Sequence, residues 1–162
     1  SLWTNTYMNR SQASLVWDSD GYIWAINFSG SGSLSSVTSS GTTSSLFTGL
    51  SHIESAALDS DEDLYISIGD VVYAVNKTSG ARTSYYSAGD DVLDMIFDYN
   101  DDLYVETDSG DIELIPGDGS TASVYDTVSG QGRLAISPDG WLVRVIPNPT
   151  SAASYEEWEL GD

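Results

Sequence analysis

Asp59-Ser60-Asp61-Glu62-Asp63-Leu64-Tyr65 decides the fold, because the chain writes it more than once. It occurs earlier as Asp18-Ser19-Asp20-Gly21-Tyr22-Ile23-Trp24 and later as Asp98-Tyr99-Asn100-Asp101-Asp102-Leu103-Tyr104. A weaker copy is Ser137-Pro138-Asp139-Gly140-Trp141-Leu142-Val143. The leading residues stand at 18, 59, 98 and 137, so the intervals are 41, 39 and 39. A fixed period of about 40 residues with strand-like content is the signature of a β-propeller blade.

Each repeat divides into four short strands separated by hairpin residues. In the second repeat they are 54–59, 64–68, 71–77 and 81–88, with Gly69-Asp70 and Thr78-Ser79-Gly80 as turns. The first repeat gives 14–18, 22–27, 33–38 and 43–48; the third gives 94–98, 103–107, 111–115 and 121–128. No segment holds a helical period over ten residues. The fourth repeat supplies 133–137, 141–146 and 155–160 and then lacks a strand, while a spare strand at 1–8 precedes the first repeat. The expected architecture is therefore all-β: a single four-bladed β-propeller over 1–162, with four antiparallel strands per blade. The blades are expected at about 14–53, 54–93, 94–132 and 133–162, with 1–8 closing the last one and removing a bare sheet edge. The small or branched residues Val16, Ala57, Ile96 and Ala135 suit the crowded strand nearest the axis. The pairs Ile23-Trp24, Leu64-Tyr65, Leu103-Tyr104 and Leu142-Val143 suit the space between blades.

Composition limits the function. With 25 acidic and 5 basic residues the formal net charge is −20, which argues against nucleic acid and against insertion into an anionic membrane as partners. The carboxylates run through the whole chain, and 40% hydrophobic content with five Trp and ten Tyr supports a folded core. Self-repulsion of this size is screened by salt, so a salt-loving source is expected. Without Cys there is no disulfide, thiolate metal site or Cys nucleophile. No apolar run approaches the ~20 residues of a membrane span.

An apolar strand followed by Asp-x-Asp-Gly and an aliphatic-aromatic pair, as in Asp18-Ser19-Asp20-Gly21 with Ile23-Trp24, resembles NHL-type and gluconolactonase-like β-propeller repeats. The resemblance covers the chain as architecture, and propellers of this kind include enzymes, sugar binders and interaction scaffolds. Family members usually carry five to seven blades; four departs from that and leaves open a ring of one copy or half of an eight-bladed ring built by two. A gluconolactonase-like propeller would imply a divalent metal held by Glu, Asn and Asp at the axis. A streptogramin-lyase-like one would imply a pair of His with a Glu, which one copy with a single His cannot supply.

Two places could carry chemistry. Asp59, Asp61 and Asp63, and again Asp98, Asn100 and Asp102, have the alternate spacing that loops use for Ca²⁺ or Na⁺. The competing reading is that their side chains fold back onto turn amides. The second place is the ring of inter-blade connections, where Arg10, His52 and Arg133 stand across from Glu54, Asp90 and Asp91 as a ligand rim. The competing reading is a rim of hydrated salt links. No nucleophile elbow, His-Glu-x-x-His or phosphate loop occurs, so no catalytic residue and no required cofactor is expected. Asn9, Asn27 and Asn76 begin glycosylation sequons.

The expectation is a non-catalytic extracellular or virion-surface module from a halophile, structural or decorating, meeting other structural proteins or a surface glycan and open to homo-oligomerisation. The alternative is a lectin-like carbohydrate binder, favoured if Trp3, Trp141 or Trp158 is exposed. A metal-dependent lactonase-like hydrolase comes third.

Overall fold

A computed structural model describes residues 15–27, 32–50, 53–146 and 154–160. The expected closing strand at 1–8 lies outside the described residues, as do Asn9, Arg10 and His52.

Among the described residues, fifteen strands make four antiparallel sheets in chain order. Blade 1 is β1 (Leu15–Trp17), β2 (Tyr22–Asn27), β3 (Gly32–Thr38) and β4 (Thr43–Leu50). Blade 2 is β5 (Ile53–Leu58), β6 (Leu64–Ile68), β7 (Val71–Val75) and β8 (Arg82–Ser87). Blade 3 is β9 (Val92–Phe97), β10 (Leu103–Thr107), β11 (Asp111–Ile115) and β12 (Ser123–Thr127). Blade 4, among the described residues, is β13 (Arg133–Ile136), β14 (Trp141–Ile146) and β15 (Ser154–Glu159). Each strand pairs with its sequence neighbour, the meander a propeller blade requires. The architecture is all-β, four blades of a β-propeller, as the period predicts.

Blades meet face to face. The front of blade 1 (Trp24, Ile26, Leu34) packs on the back of blade 2 (Ala56, Leu64, Ile66, Val75). The front of blade 2 (Ala57, Tyr65, Val72) packs on the back of blade 3 (Met95, Phe97, Leu103, Val105, Ile115). The front of blade 3 (Tyr104, Ile112) packs on the back of blade 4 (Leu134, Leu142). Period-two alternation along each strand sends one set of side chains forward and the other back, which is why the aliphatic-aromatic pairs fill both sides. Rings meet across the second junction, Tyr65 lying 4.8 Å from Phe97 centroid to centroid.

The recurrent turn has one construction. Asp18 Oδ1 accepts the Tyr22 amide at 2.8 Å and its Oδ2 accepts Trp24 Nε1 at 2.8 Å. Asp59 accepts the Asp63 amide at 2.8 Å and the Tyr65 hydroxyl at 3.1 Å. Asp98 Oδ1 accepts the amides of Asn100 (2.8 Å) and Asp102 (2.9 Å). The leading carboxylate thus closes its turn and, in the first two blades, anchors the core aromatic six residues on. The fourth position of the turn joins the blades. Glu62 and Asp101 adopt φ of 64° and 60°, where Gly21 and Gly140 stand in the other copies. L-residues there cost about 1 kcal/mol. In return Glu62 accepts the Ser19 amide (2.9 Å), and Asp101 accepts both the amide (2.8 Å) and hydroxyl (2.7 Å) of Ser60, each from the preceding blade.

Candidate functional site: a cavity between the first strands

The first strands of all four blades line an open cavity of about 480 Å³. The apolar side chains in its wall include Leu15 and Trp17 from β1, Ala57 from β5, Met95 and Phe97 from β9 and Leu134 from β13. Three charged side chains reach it: Glu54, Asp94 and Arg133.

Asp94 is the organising group. Its Oδ1 accepts Ser55 Oγ at 2.7 Å and its Oδ2 accepts the Leu134 amide at 2.8 Å, so one carboxylate ties β5, β9 and β13 together. Burial pushes its pKa above the usual carboxylate range, against the opposing pull of Ser55, the Leu134 amide and Arg133. Arg133 Nη1 donates to the Leu93 carbonyl, which steers the guanidinium along the cavity wall. The Ser55 amide donates to Ser67 Oγ at 2.9 Å, holding that serine for Asp94. Convergent polar groups beside apolar side chains in a concave site can fix a small ligand's orientation.

The expected rim is only partly assembled here. Glu54 and Arg133 line the cavity. Asp90 and Asp91 do not: they form the exposed turn between β8 and β9, where Asp90 Oδ1 accepts the Asp91 amide at 2.8 Å and the Asp91 carbonyl accepts the Asp108 amide at 2.8 Å. Arg10 and His52 lie outside the described residues. Asp94 and Trp17 were not expected at the site. Asp94 had a sequence signal, a lone carboxylate inside the apolar strand Val92–Phe97, one period after Ser55.

In the Asp-rich turns the leading carboxylates accept turn amides. Asp59 and Asp98 face inward as described, Asp61 and Asp63 are exposed, and Asp102 Oδ1 accepts the Gly117 amide at 2.7 Å. Among the described residues no three acidic or His side chains gather to hold a metal ion. Asn76 is exposed at the β7–β8 hairpin, its Oδ1 accepting the amides of Thr78 (3.0 Å) and Ser79 (2.8 Å). Asn27 ends β2. Of the tryptophans that bear on sugar binding, Trp141 is exposed. Trp158 is half-buried with Nε1 donating to Asp126 at 2.8 Å, and Trp3 is outside the described residues.

No protein-family model and no curated protein matches the chain. Solved structures do. The chain is similar to virginiamycin B lyase from Staphylococcus aureus (TM-score 0.65, 16% identity, 91% of this chain and 55% of that one). It is similar to regucalcin, a calcium-binding protein, from Agrobacterium tumefaciens (TM-score 0.63, 16% identity, 85% and 54%). It is also similar to an auxiliary nutrient binding protein from Bacteroides thetaiotaomicron (TM-score 0.65, 12% identity, 91% and 41%). The chain therefore spans about half the length of the solved structures it matches. At these identities the likeness establishes the fold alone, a β-propeller; the neighbours, gluconolactonase-like and NHL-type propellers, include enzymes and binding proteins. No helix among the described residues is long and apolar enough to cross a membrane.

Proposed function

We propose that this chain is a non-catalytic binding module of a salt-loving organism, displayed outside the cell or on a virion surface, with its ligand held in the cavity between the first strands. One observation carries the reading: Asp94 and Arg133 are bonded to backbone and to Ser55 in ways that fix the blades and the cavity's shape. They are arranged to position a ligand and are not paired as an acid with a base. The net charge of −20 supports a setting in brine, where self-repulsion is screened. The nutrient-binding neighbour supports the use of this fold for binding. The test is turnover on a panel of lactones with Ca²⁺, Mg²⁺, Mn²⁺ or Zn²⁺ in molar NaCl. No hydrolysis is expected; metal-dependent hydrolysis abolished by Asp94→Asn would overturn the reading in favour of a hydrolase.

A second reading, a carbohydrate binder, is favoured by Trp17, a residue 65% exposed on the cavity wall, and by the exposed Trp141. Aromatic faces stack on the apolar faces of pyranose rings. Titration of mono- and oligosaccharides followed by tryptophan fluorescence tests it. A saturable response lost in Trp17→Ala supports a sugar in the cavity, and no response in any sugar removes it.

A further inference from the structure

The recurrent turns of neighbouring blades touch, and the three junctions fill the space between them differently. At the first, the Glu62 carboxylate accepts the Ser19 amide at 2.9 Å. Lys77 donates from Nζ to the Glu62 carbonyl at 2.8 Å and stands 4.0 Å from Asp18 Oδ2. At the second, the Asp101 carboxylate binds Ser60, and the Gly117 backbone closes in so far that a Cβ would stand 2.6 Å from the Asp101 carbonyl oxygen. At the third, both fillers of the first junction are replaced. Gly140 stands in the place of Glu62. Val75 lies opposite Leu64 and Trp158 opposite Leu142, so Leu160 stands in the place of Lys77. A cavity of about 250 Å³ opens there between the turns of blades 3 and 4, lined by Asp98, Tyr99, Asp139 and Glu159 as well as Gly140 and Leu160.

This cavity is acidic and short of a cation. Asp98 is only 9% exposed. Its Oδ1 accepts two turn amides, but among the described residues no donor meets Oδ2, where Asp18 has Trp24 Nε1 and Asp59 has the Tyr65 hydroxyl. Burial pushes the Asp98 carboxyl above its ordinary range in spite of those amides. Asp139 and Glu159, both exposed, add two carboxylates. The described cations Lys77, Arg82, Arg133 and Arg144 are all engaged elsewhere. Among the described residues no three acidic groups gather closely enough to share a metal ion, so the negative charge is spread for a larger cation. Tyr99, 70% exposed, and Leu160 offer apolar surface beside it.

We infer that this cavity binds a primary ammonium on an alkyl stem, the group that a lysine side chain or a free alkylamine carries, in the position that Lys77 fills at the first junction. The ammonium meets the carboxylates of Asp98, Asp139 and Glu159, and the stem lies against Leu160 and Tyr99. The molecule supplies its own precedent, since one junction already holds such a group between the same turn positions. No residue lines both this cavity and the one between the first strands, so the inference is independent of the ligand reading above.

The test is an NMR titration of the full chain with n-butylammonium chloride exchanged for NaCl at constant total chloride, so that screening does not change. The expected result is a saturable shift of the Tyr99, Asn100 and Gly140 amides. Leu160→Lys, which supplies the ammonium from within, should abolish that shift, and Glu159→Gln should weaken it. No saturable response, a response spread evenly over the surface, or one that either variant leaves unchanged while folded would overturn the inference. Titration with acetyl-lysine amide separates the two sources. Binding tighter than that of butylammonium assigns the site to a lysine of a partner protein, and equal or weaker binding assigns it to a free amine.

Discussion

The first and third blade junctions use one pair of positions for opposite chemistries. At the first, Ile26 on the front of blade 1 meets Ile66 on the back of blade 2, both fully buried. At the third, the same places hold Glu106 and Arg144, equally buried and bonded at 2.9 Å. Arg144 further reaches Glu156 at 2.9 Å and the carbonyls of Ser129 and Gly130, while Glu106 Oε1 accepts the Gly132 amide at 2.7 Å. Burial alone would push the guanidinium's pKa down; Glu106 and Glu156 hold it above its ordinary value. The scaffold position requires that a side chain fill the space between two sheets. It does not require an apolar one. The difference lies in what failure costs. An aliphatic pair loses contact gradually when trimmed. A buried ion pair that loses one member leaves a charge in a low-dielectric site.

The largest predicted effect follows from that asymmetry. Arg144→Met should destabilise the protein by about 3–5 kcal/mol in urea unfolding, because Glu106 is left charged and unpaired. A loss below about 1 kcal/mol would mean that the third junction does not depend on the pair. On the apolar side, Ile66→Ala should cost about 2–5 kcal/mol by the same measurement, with no dependence on salt. Gly132→Ala comes next. A Cβ there would stand 2.6 Å from Arg144 Nε, so the substitution should cost about 1–3 kcal/mol, and that cost should shrink in the Arg144→Met background.

The middle junction offers the smallest and most selective probe. There the Tyr86 hydroxyl donates to Glu113 at 3.0 Å, and burial with that bond pushes the phenol from 10.0 to about 12. A pKa raised in the folded state means the fold holds the proton more tightly than the unfolded chain does. The contribution is full below pH 10 and is lost as pH rises toward about 12. Melting temperature should therefore fall over that window, and Tyr86→Phe should flatten part of the fall. An identical pH profile in the variant would detach Tyr86 from the effect.

Much of this was legible in the sequence. The period fixes blades and strand order because a turn needs Asp and Gly at set offsets, and those offsets survive even where Ser137 or Glu62 replaces the usual residue. Glu54 and Arg133 were singled out from the inter-blade connections, and both stand near the start of an inner strand, in β5 and β13. Asp94 and the Glu106–Arg144 pair were hidden. A charged residue inside a strand is assigned by alternation to the solvent side, and only the packing of the next blade makes that side an interior. Trp17 stands just before the first recurrent turn and was not singled out; it is exposed on the cavity wall.

The central claim is that blades meet through equivalent positions whatever chemistry fills them. A double-mutant cycle at the third junction tests it most directly, comparing Glu106→Ile, Arg144→Ile and the double variant by equilibrium unfolding. The account predicts that the double variant, which rebuilds the Ile26–Ile66 arrangement, is more stable than either single variant. A double variant as unstable as the two single losses added together would contradict it.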